Sequence, residues 1–329
     1  SQRDFEGSFV VHQRWKGPTP FRAVFFLYKI EQSRVSLSSM QRMKYFITLA
    51  LLYLFVSSMA LLFWHSYERA PNVLTVTFLD IGQGDAIYIE SPTGKQVLID
   101  GGIDRSVLAD LSKVMPLFDR TLDVVIATHP DKDHIGGLPF VFSRYKVAHI
   151  LDPGLTETTD TYEFYSEKVQ EEMKGSYAIH QEARRGSVID LGGGAELRIL
   201  FPDRDMDGVT DTNNASVVAQ LVYGETEVML TGDAPKSVEE YVVMLDGTAL
   251  QSDILKAGHH GSRTSSGQKF IDTVNPEYAI ISAGCDNSYG HPHKETIETL
   301  TAASTTILTT CEEGTIVFTS DGTSFTRLK

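Results

Sequence analysis

From Tyr45 to Trp64 the sequence YFITLALLYLFVSSMALLFW carries no charge and nothing polar breaks a face along it. Its 20 residues match the hydrocarbon thickness of a bilayer at the helical rise of about 1.5 Å each, so the pattern predicts a membrane helix within residues 40–66. Arg34, Arg42 and Lys44 precede the run, and only Arg69, beside Glu68, follows closely. That asymmetry puts the N-terminus in the cytoplasm and the rest of the chain outside it. The competing reading is a signal peptide that starts at Met40 or Met43 and is cut near Ser58-Met59-Ala60; the run is long for such a peptide, which favours an uncleaved anchor. Residues 1–39 show no clear periodicity and are assigned no fold.

Past Pro71 the pattern changes to short β-rich runs punctuated by Gly and Asp and mixed with amphipathic helices. No Pro/Ser-rich linker divides it, and it predicts one α/β domain over 71–329. Strands are expected at 73–79, 86–90 and 96–100, a helix near 106–118, and a buried-type strand, LDVVIAT, at 122–128. The same order then returns: a strand at 216–223, a Gly-Glu turn, EVMLTGD at 227–233, a helix near 235–246 and the strand SDILKAG at 252–258. In each copy a hairpin ends in an Asp beside Gly, a helix follows, and the next strand runs into a His-rich loop. Two such halves face to face predict a four-layer helix, sheet, sheet, helix sandwich with the strand-end loops of both halves along one edge.

Charge narrows the function. Residues 1–70 hold 9 Lys/Arg against 4 Asp/Glu, which leaves the body with 20 against 39. An acidic body is poorly suited to gripping nucleic acid through its phosphates, because that binding relies on Lys and Arg displacing counterions. No strong non-specific nucleic-acid binding is expected, and contact with an anion must be local or made through a metal. Cys285 and Cys311 are too few for a disulfide scaffold and lack zinc-knuckle spacing. The runs EYAIISAG (277–284), HKETIETL (293–300) and TTILTT (305–310) read as strand, helix and strand, so both cysteines fall at the same end of two strands. Neighbouring parallel strands lie about 4.8 Å apart, within reach of a disulfide, and a bridge is expected; two buried free thiols are the alternative.

The strand LDVVIAT ends at His129-Pro130-Asp131-Lys132-Asp133-His134, and glycines follow at 136 and 137. Two His and two Asp within six residues at a strand end make a divalent-metal loop, since imidazole and carboxylate together suit zinc, manganese or iron. A polar strand-to-helix loop with Asp as N-cap explains one Asp and neither His. The second half supplies Asp233 and His259-His260 in corresponding places.

The motifs FLDIGQGDA (78–86), LIDGG (98–102), THPDKDHIGGL (128–138), LTGD (230–233), GHHGS (258–262) and YGHPH (289–293), in this order, resemble the metallo-β-lactamase-fold domain of ComEC-type DNA-uptake proteins. The resemblance covers roughly residues 73–329. It implies an αββα sandwich with two divalent ions, Zn2+ or Mn2+: His129 and Asp131 match the ligands of the first, Asp133 and His134 those of the second, Asp233 the bridging carboxylate and His259 the late histidine ligand. It also implies that Asp133 orients the attacking water and that His291 contacts phosphate or acts as general acid. His260, Ser262, Asn213, Asn214 and Ser216 are candidates for hydrogen bonds to substrate or behind the ligands. For His293, at the start of a helix, capping or solvent contact is the simpler role, and His12 and His65 carry no assignment.

Most of the superfamily has His where Asp131 stands and a further His before the LTGD strand, an interval in which this chain offers only His149 and His180. An oxygen ligand in place of imidazole hardens the first site toward manganese. ComEC-type proteins join this domain to a many-helix channel and often an oligonucleotide-binding domain, whereas this sequence shows one apolar span, so the resemblance carries over for hydrolysis and is put in doubt for DNA transport. Asp203, Asp205 and Asp207, followed by Gly208, match the first half of a Ca2+ loop, but position 12 is Asn214; a solvated acidic loop is the other reading. The expectation is a membrane-anchored extracytoplasmic hydrolase of phosphodiesters, with DNA among the candidate substrates. Another ester (a phosphocholine, a lactone or a wall phosphodiester) and a non-catalytic DNA-uptake partner are the alternatives. Protease added to spheroplasts is expected to digest residues 71–329 and to spare a tag at the N-terminus; the reverse pattern would overturn the orientation.

Overall fold

A computed structural model describes residues 39–67, 73–175 and 178–328, and the chain divides after Glu68 into two units. The tail before Ser39, with His12 and Arg34, and the flanking Arg69 lie outside the described residues. Among the described residues the first unit contains one continuous helix, α1 (Ser39–Tyr67), whose stretch from Ser39 to Leu62 is long and apolar enough to cross a membrane. The apolar side chains from Met40 to Leu62 are exposed on all sides, as expected of a segment with no polar face.

The second unit begins with β1 (Leu74–Phe78), β2 (Ile87–Glu90), β3 (Gln96–Ile99), α2 (Val107–Val114) and β4 (Thr121–Ile126). Two short helices, α3 (Lys132–Ile135) and α4 (Leu138–Phe142), lead to β5 (Lys146–Asp152), α5 (Asp160–Gly175) and β6 (Ile179–Glu182). The second half runs through β7 (Val188–Gly192), β8 (Ala195–Phe201), β9 (Val218–Tyr223), β10 (Thr226–Leu230), α6 (Lys236–Asp246), β11 (Ile254–Lys256) and α7 (Gln268–Val274). It continues with β12 (Tyr278–Ile281), α8 (Lys294–Ala302), β13 (Thr306–Thr309) and α9 (Thr310–Glu313), and ends in β14 (Ile316–Ser320) and β15 (Phe325–Arg327). The predicted helix near 106–118 is shorter at its C-terminal end than its apolar pattern, because Met115 precedes Pro116 and is forced into an extended conformation.

The strands form an eight-stranded sheet, β15-β14-β1-β2-β3-β4-β5-β6, and a seven-stranded sheet, β13-β12-β11-β10-β9-β8-β7. Alternation along the strands builds the layers. Val97 and Ile99 of β3, Val124 and Ile126 of β4, Val228 and Leu230 of β10 and Ile280 of β12 point into one core between the sheets. Leu98, Leu122 and Val125 point the other way, onto Leu111 of α2, Leu138 of α4 and Val169 of α5. Met229, Leu255 and Ile281 meet Val242 of α6, Ile271 of α7 and Leu300 of α8 on the opposite outer face. The result is the four-layer α/β sandwich predicted from the repeat. Its two halves are equivalent: β2-β3 is an antiparallel hairpin followed by α2 and a parallel β4, and β9-β10 is one followed by α6 and a parallel β11.

Beyond the hairpin of each half the strands run parallel, so their carboxyl ends collect along one edge. Cys285 and Cys311 follow β12 and β13, which are parallel neighbours with Ile281 opposite Thr309, and the two are joined in a disulfide with Cα atoms 5.0 Å apart. Thiol labelling of the unreduced, denatured protein should therefore find no free cysteine. Cys285→Ser is expected to lower the stability of the body by about 3 kcal/mol, the chain-entropy value for a loop of this size, measured by chemical denaturation under oxidising conditions.

Candidate metal centre

Four loops at the carboxyl ends of β3, β4, β10 and β11 converge on one point. The loop after β4 carries His129 and then folds into α3, with His134 in its last turn. It is pinned to the loop after β3 by Gly101 N–H donating to His134 O (2.7 Å) and Gly137 N–H donating to Gly102 O (2.9 Å). The glycines here serve close approach of backbone to backbone. A Cβ on Gly137 would lie 1.9 Å from Gly101 O, and one on Gly84, whose φ is +113°, 2.1 Å from Asp133 O.

From the second half, Asp233 follows β10, and its N–H donates to Ser216 Oγ at 3.2 Å. After β11, His259 and His260 both adopt left-handed backbone conformations, with φ of +49° and +53°. Two successive non-glycine residues in that region cost on the order of 1 kcal/mol each. The turn is held by His259 N–H donating to Gly232 O and Ser262 N–H donating to His259 O.

His134 Nε2 lies 3.3 Å from His260 Nε2 and 3.4 Å from Asp233 Oδ1, and His260 Nε2 lies 3.2 Å from Asp133 Oδ2 and 3.4 Å from Asp233 Oδ2. Donor atoms at the corners of a tetrahedron around an ion held at about 2.0–2.1 Å are separated by about 3.3 Å. His134, His260 and Asp233 thus have the spacing of a divalent-metal position, and Asp133 reaches it from the rim through His260. His129 Nε2, 3.8 Å from Asp131 Oδ2 and 4.0 Å from Asp233 Oδ2, and His259 Nε2, 3.7 Å from the same Asp233 oxygen, form a looser group beside it. His129 Nε2 and Asp233 Oδ1 are buried with no hydrogen-bond partner, which is how ligand atoms look without their ion.

Behind the donors stands a second set of groups. Asp100 accepts from His134 Nδ1 (2.8 Å), from Thr128 N–H (2.8 Å) and from Thr128 Oγ1 (2.7 Å), which leaves Nε2 of His134 facing the centre. His260 Nδ1 donates to Ser282 O at 2.9 Å, with Asp85 Oδ1 3.4 Å away. Asp85 Oδ2 in turn is 2.7 Å from Nζ of the fully buried Lys256. Asp85, His134, Asp233 and His260 lie close enough together to hold an ion. We assign Asp85 to the support of His260 instead, because it meets the ring nitrogen that points away from the other donors and is already neutralised by Lys256.

Burial opposes the negative charge on Asp85, but Lys256 and then His260 outweigh it and hold this carboxyl down to about 2. Burial likewise works against charge on Asp133 and Asp233, yet the adjacent histidines keep both well below the usual carboxylate range. Burial also disfavours protonated His134 and His260, and the surrounding aspartates, Asp233 foremost, overcome it and raise both rings well above the normal histidine range. The pocket demands positive charge. A divalent ion would supply it, and its binding to the ring nitrogens is coupled to loss of protons from them. His129, mainly through burial and then through His134, is pushed down to about 4 and stays neutral, as a ligand must.

The remaining predicted residues lie around the centre or outside it. His291 sits against the centre, its ring centroid 5.5 Å from His259 and 6.2 Å from His260, and its Nδ1 is buried without a partner. Burial, then His259 and His260, lower it to about 4. Asp131 is half exposed and accepts from Thr212 Oγ1 at 2.5 Å; Asn213, next in the chain, has a buried, unpartnered Oδ1. Ser262 Oγ bonds Thr264, and His293 Nδ1 accepts from Arg263 N–H; no side-chain partner fixes a role for Asn214. Outside the centre, His180 is spent on Asp152 (2.7 Å), and His149 lies within β5. The carboxylates proposed as a calcium loop do not converge: Asp203 accepts from Tyr241 and Arg204, Asp205 from the N–H of Asp207, and Asp207 from Thr156. The solvated-loop reading fits that arrangement. Sequence reading alone assigns no role to Asp85, Asp100, Thr128, Thr212 or Lys256, although the first three lie inside the motifs FLDIGQGDA, LIDGG and THPDKDHIGGL. The lone Lys in the apolar strand SDILKAG is the one further signal.

A sandwich of this kind with a buried His/Asp centre on its strand-end edge defines a class of metal-dependent hydrolase folds. Residues 79–284 match the model of the metallo-beta-lactamase superfamily, and the chain belongs to that superfamily, whose members are metal-dependent hydrolases. Among curated proteins it is 32% identical to ComE operon protein 3 of Bacillus subtilis (strain 168) over 74% of this chain and 32% of that protein. It is 30% identical to Competence protein ComA of Neisseria gonorrhoeae over 76% of this chain and 33% of that protein. The chain thus spans about a third of the length of these relatives. Among solved structures, Igni18, a metallo hydrolase from Ignicoccus hospitalis, is similar with a TM-score of 0.49 at 16% identity, covering 74% of this chain and 98% of that one.

Asp100→Asn is expected to weaken divalent-metal affinity by about 10–100-fold, the usual effect of losing the carboxylate behind a ligating histidine, as measured by competition with a chromogenic chelator. An unchanged affinity would remove His134 from the ligand set.

Proposed function

We propose that this chain is a membrane-anchored, extracytoplasmic, metal-dependent phosphodiesterase of the nuclease type, acting in the context of DNA uptake. The observation that carries the hydrolase reading is the set of donor atoms from His134, His260 and Asp233, spaced for a divalent ion, with Asp133 against His260 and with His129, Asp131 and His259 beside them for a second. Two relatives named for competence support the DNA context. The acidic body favours local contact with a phosphodiester over a grip on a long strand. The helix 39–62 supports the anchor, and Arg42 and Lys44 on its N-terminal side support the orientation.

The ions, when bound, activate a water and polarise the phosphoryl oxygen. Asp133, one-quarter exposed at the rim, is placed to accept a hydrogen bond from the attacking water and fix its direction. Asp100, Asp85 and Lys256 keep the two central imidazoles aimed. His291 meets the scissile group from the side. It is neutral near pH 7, and a phosphate anion against its ring raises its proton affinity, so it can take up a proton at Nδ1 or Nε2 and donate it to the leaving oxygen.

The test is a panel of bis-(p-nitrophenyl) phosphate, single- and double-stranded DNA, a phosphocholine ester and a lactone, with the metal-free protein reloaded with zinc or manganese. Phosphodiester hydrolysis should be seen, higher with manganese than with zinc. Asp133→Ala should lose at least about a hundredfold in kcat, and Asp131→His should reverse the metal order. Hydrolysis of the lactone alone would move the substrate class, and activity in a protein shown by elemental analysis to hold no metal would sink the proposal.

A further inference from the structure

The loop 284–293, between β12 and α8, is built more rigidly than its length requires. Asn287 closes it on itself: its Oδ1 accepts from His291 N–H at 2.9 Å, and its Nδ2 donates to His291 O at 2.6 Å and to Gly284 O at 2.8 Å. The disulfide ties Cys285, near its start, to Cys311 in α9, two residues past β13. At its far end, Arg263 N–H donates to His293 Nδ1 and His293 N–H donates to Gly261 O, which join the loop to the His259-His260 turn. The tip of this braced loop presents Tyr289, which is 64% exposed. The phenol ring lies nearly parallel to His291, with centroids 5.7 Å apart and planes at 20°, and His291 in turn contacts the rings of His259 and His260. A line of aromatic rings therefore leads from solvent to the metal centre.

We infer that Tyr289 is a stacking platform for a nucleobase of the substrate, the base next to the phosphodiester held at the centre. Two physical constraints select this role. The body is strongly acidic, Lys256 is neutralised by Asp85 and Arg263 lies 3.3 Å from Glu295, which leaves the exposed Lys132 of α3 as a single local cation, so phosphate-directed attraction by the protein's own side chains is weak. Base stacking on an aromatic face needs no net charge and accepts any base, since every base has a π-face. A ring held in place before binding also loses little freedom when it is covered, which is what the Asn287 bracing and the disulfide achieve. Tyr289 is on this account a specificity residue, one that selects nucleotide esters over phosphodiesters without bases.

The inference rests on the phosphodiesterase reading, and the experiment separates the two. Full-length protein in detergent, with calcium in place of a catalytic ion, is titrated against a fluorescent oligodeoxythymidine and against an abasic strand of the same length, followed by anisotropy. The wild type should bind the strand with bases more tightly. Tyr289→Ala should weaken that strand by roughly tenfold and leave the abasic strand unchanged, and Tyr289→Trp should restore the preference. Equal affinity of the wild type for both strands, or equal weakening of both by Tyr289→Ala, overturns the platform. Hydrolysis of bis-(p-nitrophenyl) phosphate by wild-type protein, measured alongside, reports on the underlying reading: activity without base preference fails the platform alone.

Discussion

The centre of this protein is a concentration of buried negative charge. Asp85, Asp100 and Asp233 are almost completely enclosed and Asp133 is mostly so, within contact distance of one another's partners. Several ionised carboxylates cannot be kept in a low-dielectric interior without positive charge beside them. Lys256 answers one of them, and His134 and His260 answer the others as cations or as ligands of a metal ion. The local features of the site follow from that demand. The two consecutive left-handed histidines bring a second imidazole to Asp233, and the glycines at 84 and 137 let neighbouring loops close to van der Waals distance.

Neither half of the domain can meet this demand alone. The first half supplies His129, Asp131, Asp133 and His134, with Asp100 and Asp85 behind them. The second supplies Asp233, His259, His260 and Lys256. The core between the sheets, in which Val124 and Ile126 of one meet Val228 and Leu230 of the other, brings the two sets into register. Backbone bonds cross the same seam: Val217 N–H donates to Thr128 O at 2.9 Å, and His134 Nε2 reaches Asp233. Folding and assembly of the metal site are thus one process, in which burial of apolar strand faces offsets the cost of gathering like charges.

The surroundings of the centre point away from a protein that grips long nucleic acid by charge. Negative charge dominates the body, while the rim offers rings: Tyr289, His291 and His293 on one braced loop. The relatives are about three times the length of the matched region, and that region is the part this chain shares with them.

The amino-acid sequence by itself determined the layers and most of the loop chemistry, because both are local. Period-two apolar strands, the repeated order of hairpin, helix and strand, and the dense HPDKDH motif can each be read within a few residues. The cysteine pair was legible for the same reason, since equivalent positions on two strands of a β-α-β unit must come together if those strands are neighbours. Only the tertiary structure decided the division of labour. It set His260 among the tightly spaced donors and left His259 in the looser group, because the left-handed turn at 259–260 aims one ring inward and leaves the other at the rim. It revealed Asp85 and Lys256 as a buried pair, residues 171 positions apart whose meeting no local pattern encodes. It also separated the aspartates of 203–207, whose spacing resembles a cation loop but whose side chains turn to different partners. Long-range contact between oppositely charged or metal-sharing groups depends on how two sheets stack, and that is a property of the packed core and not of any window of sequence.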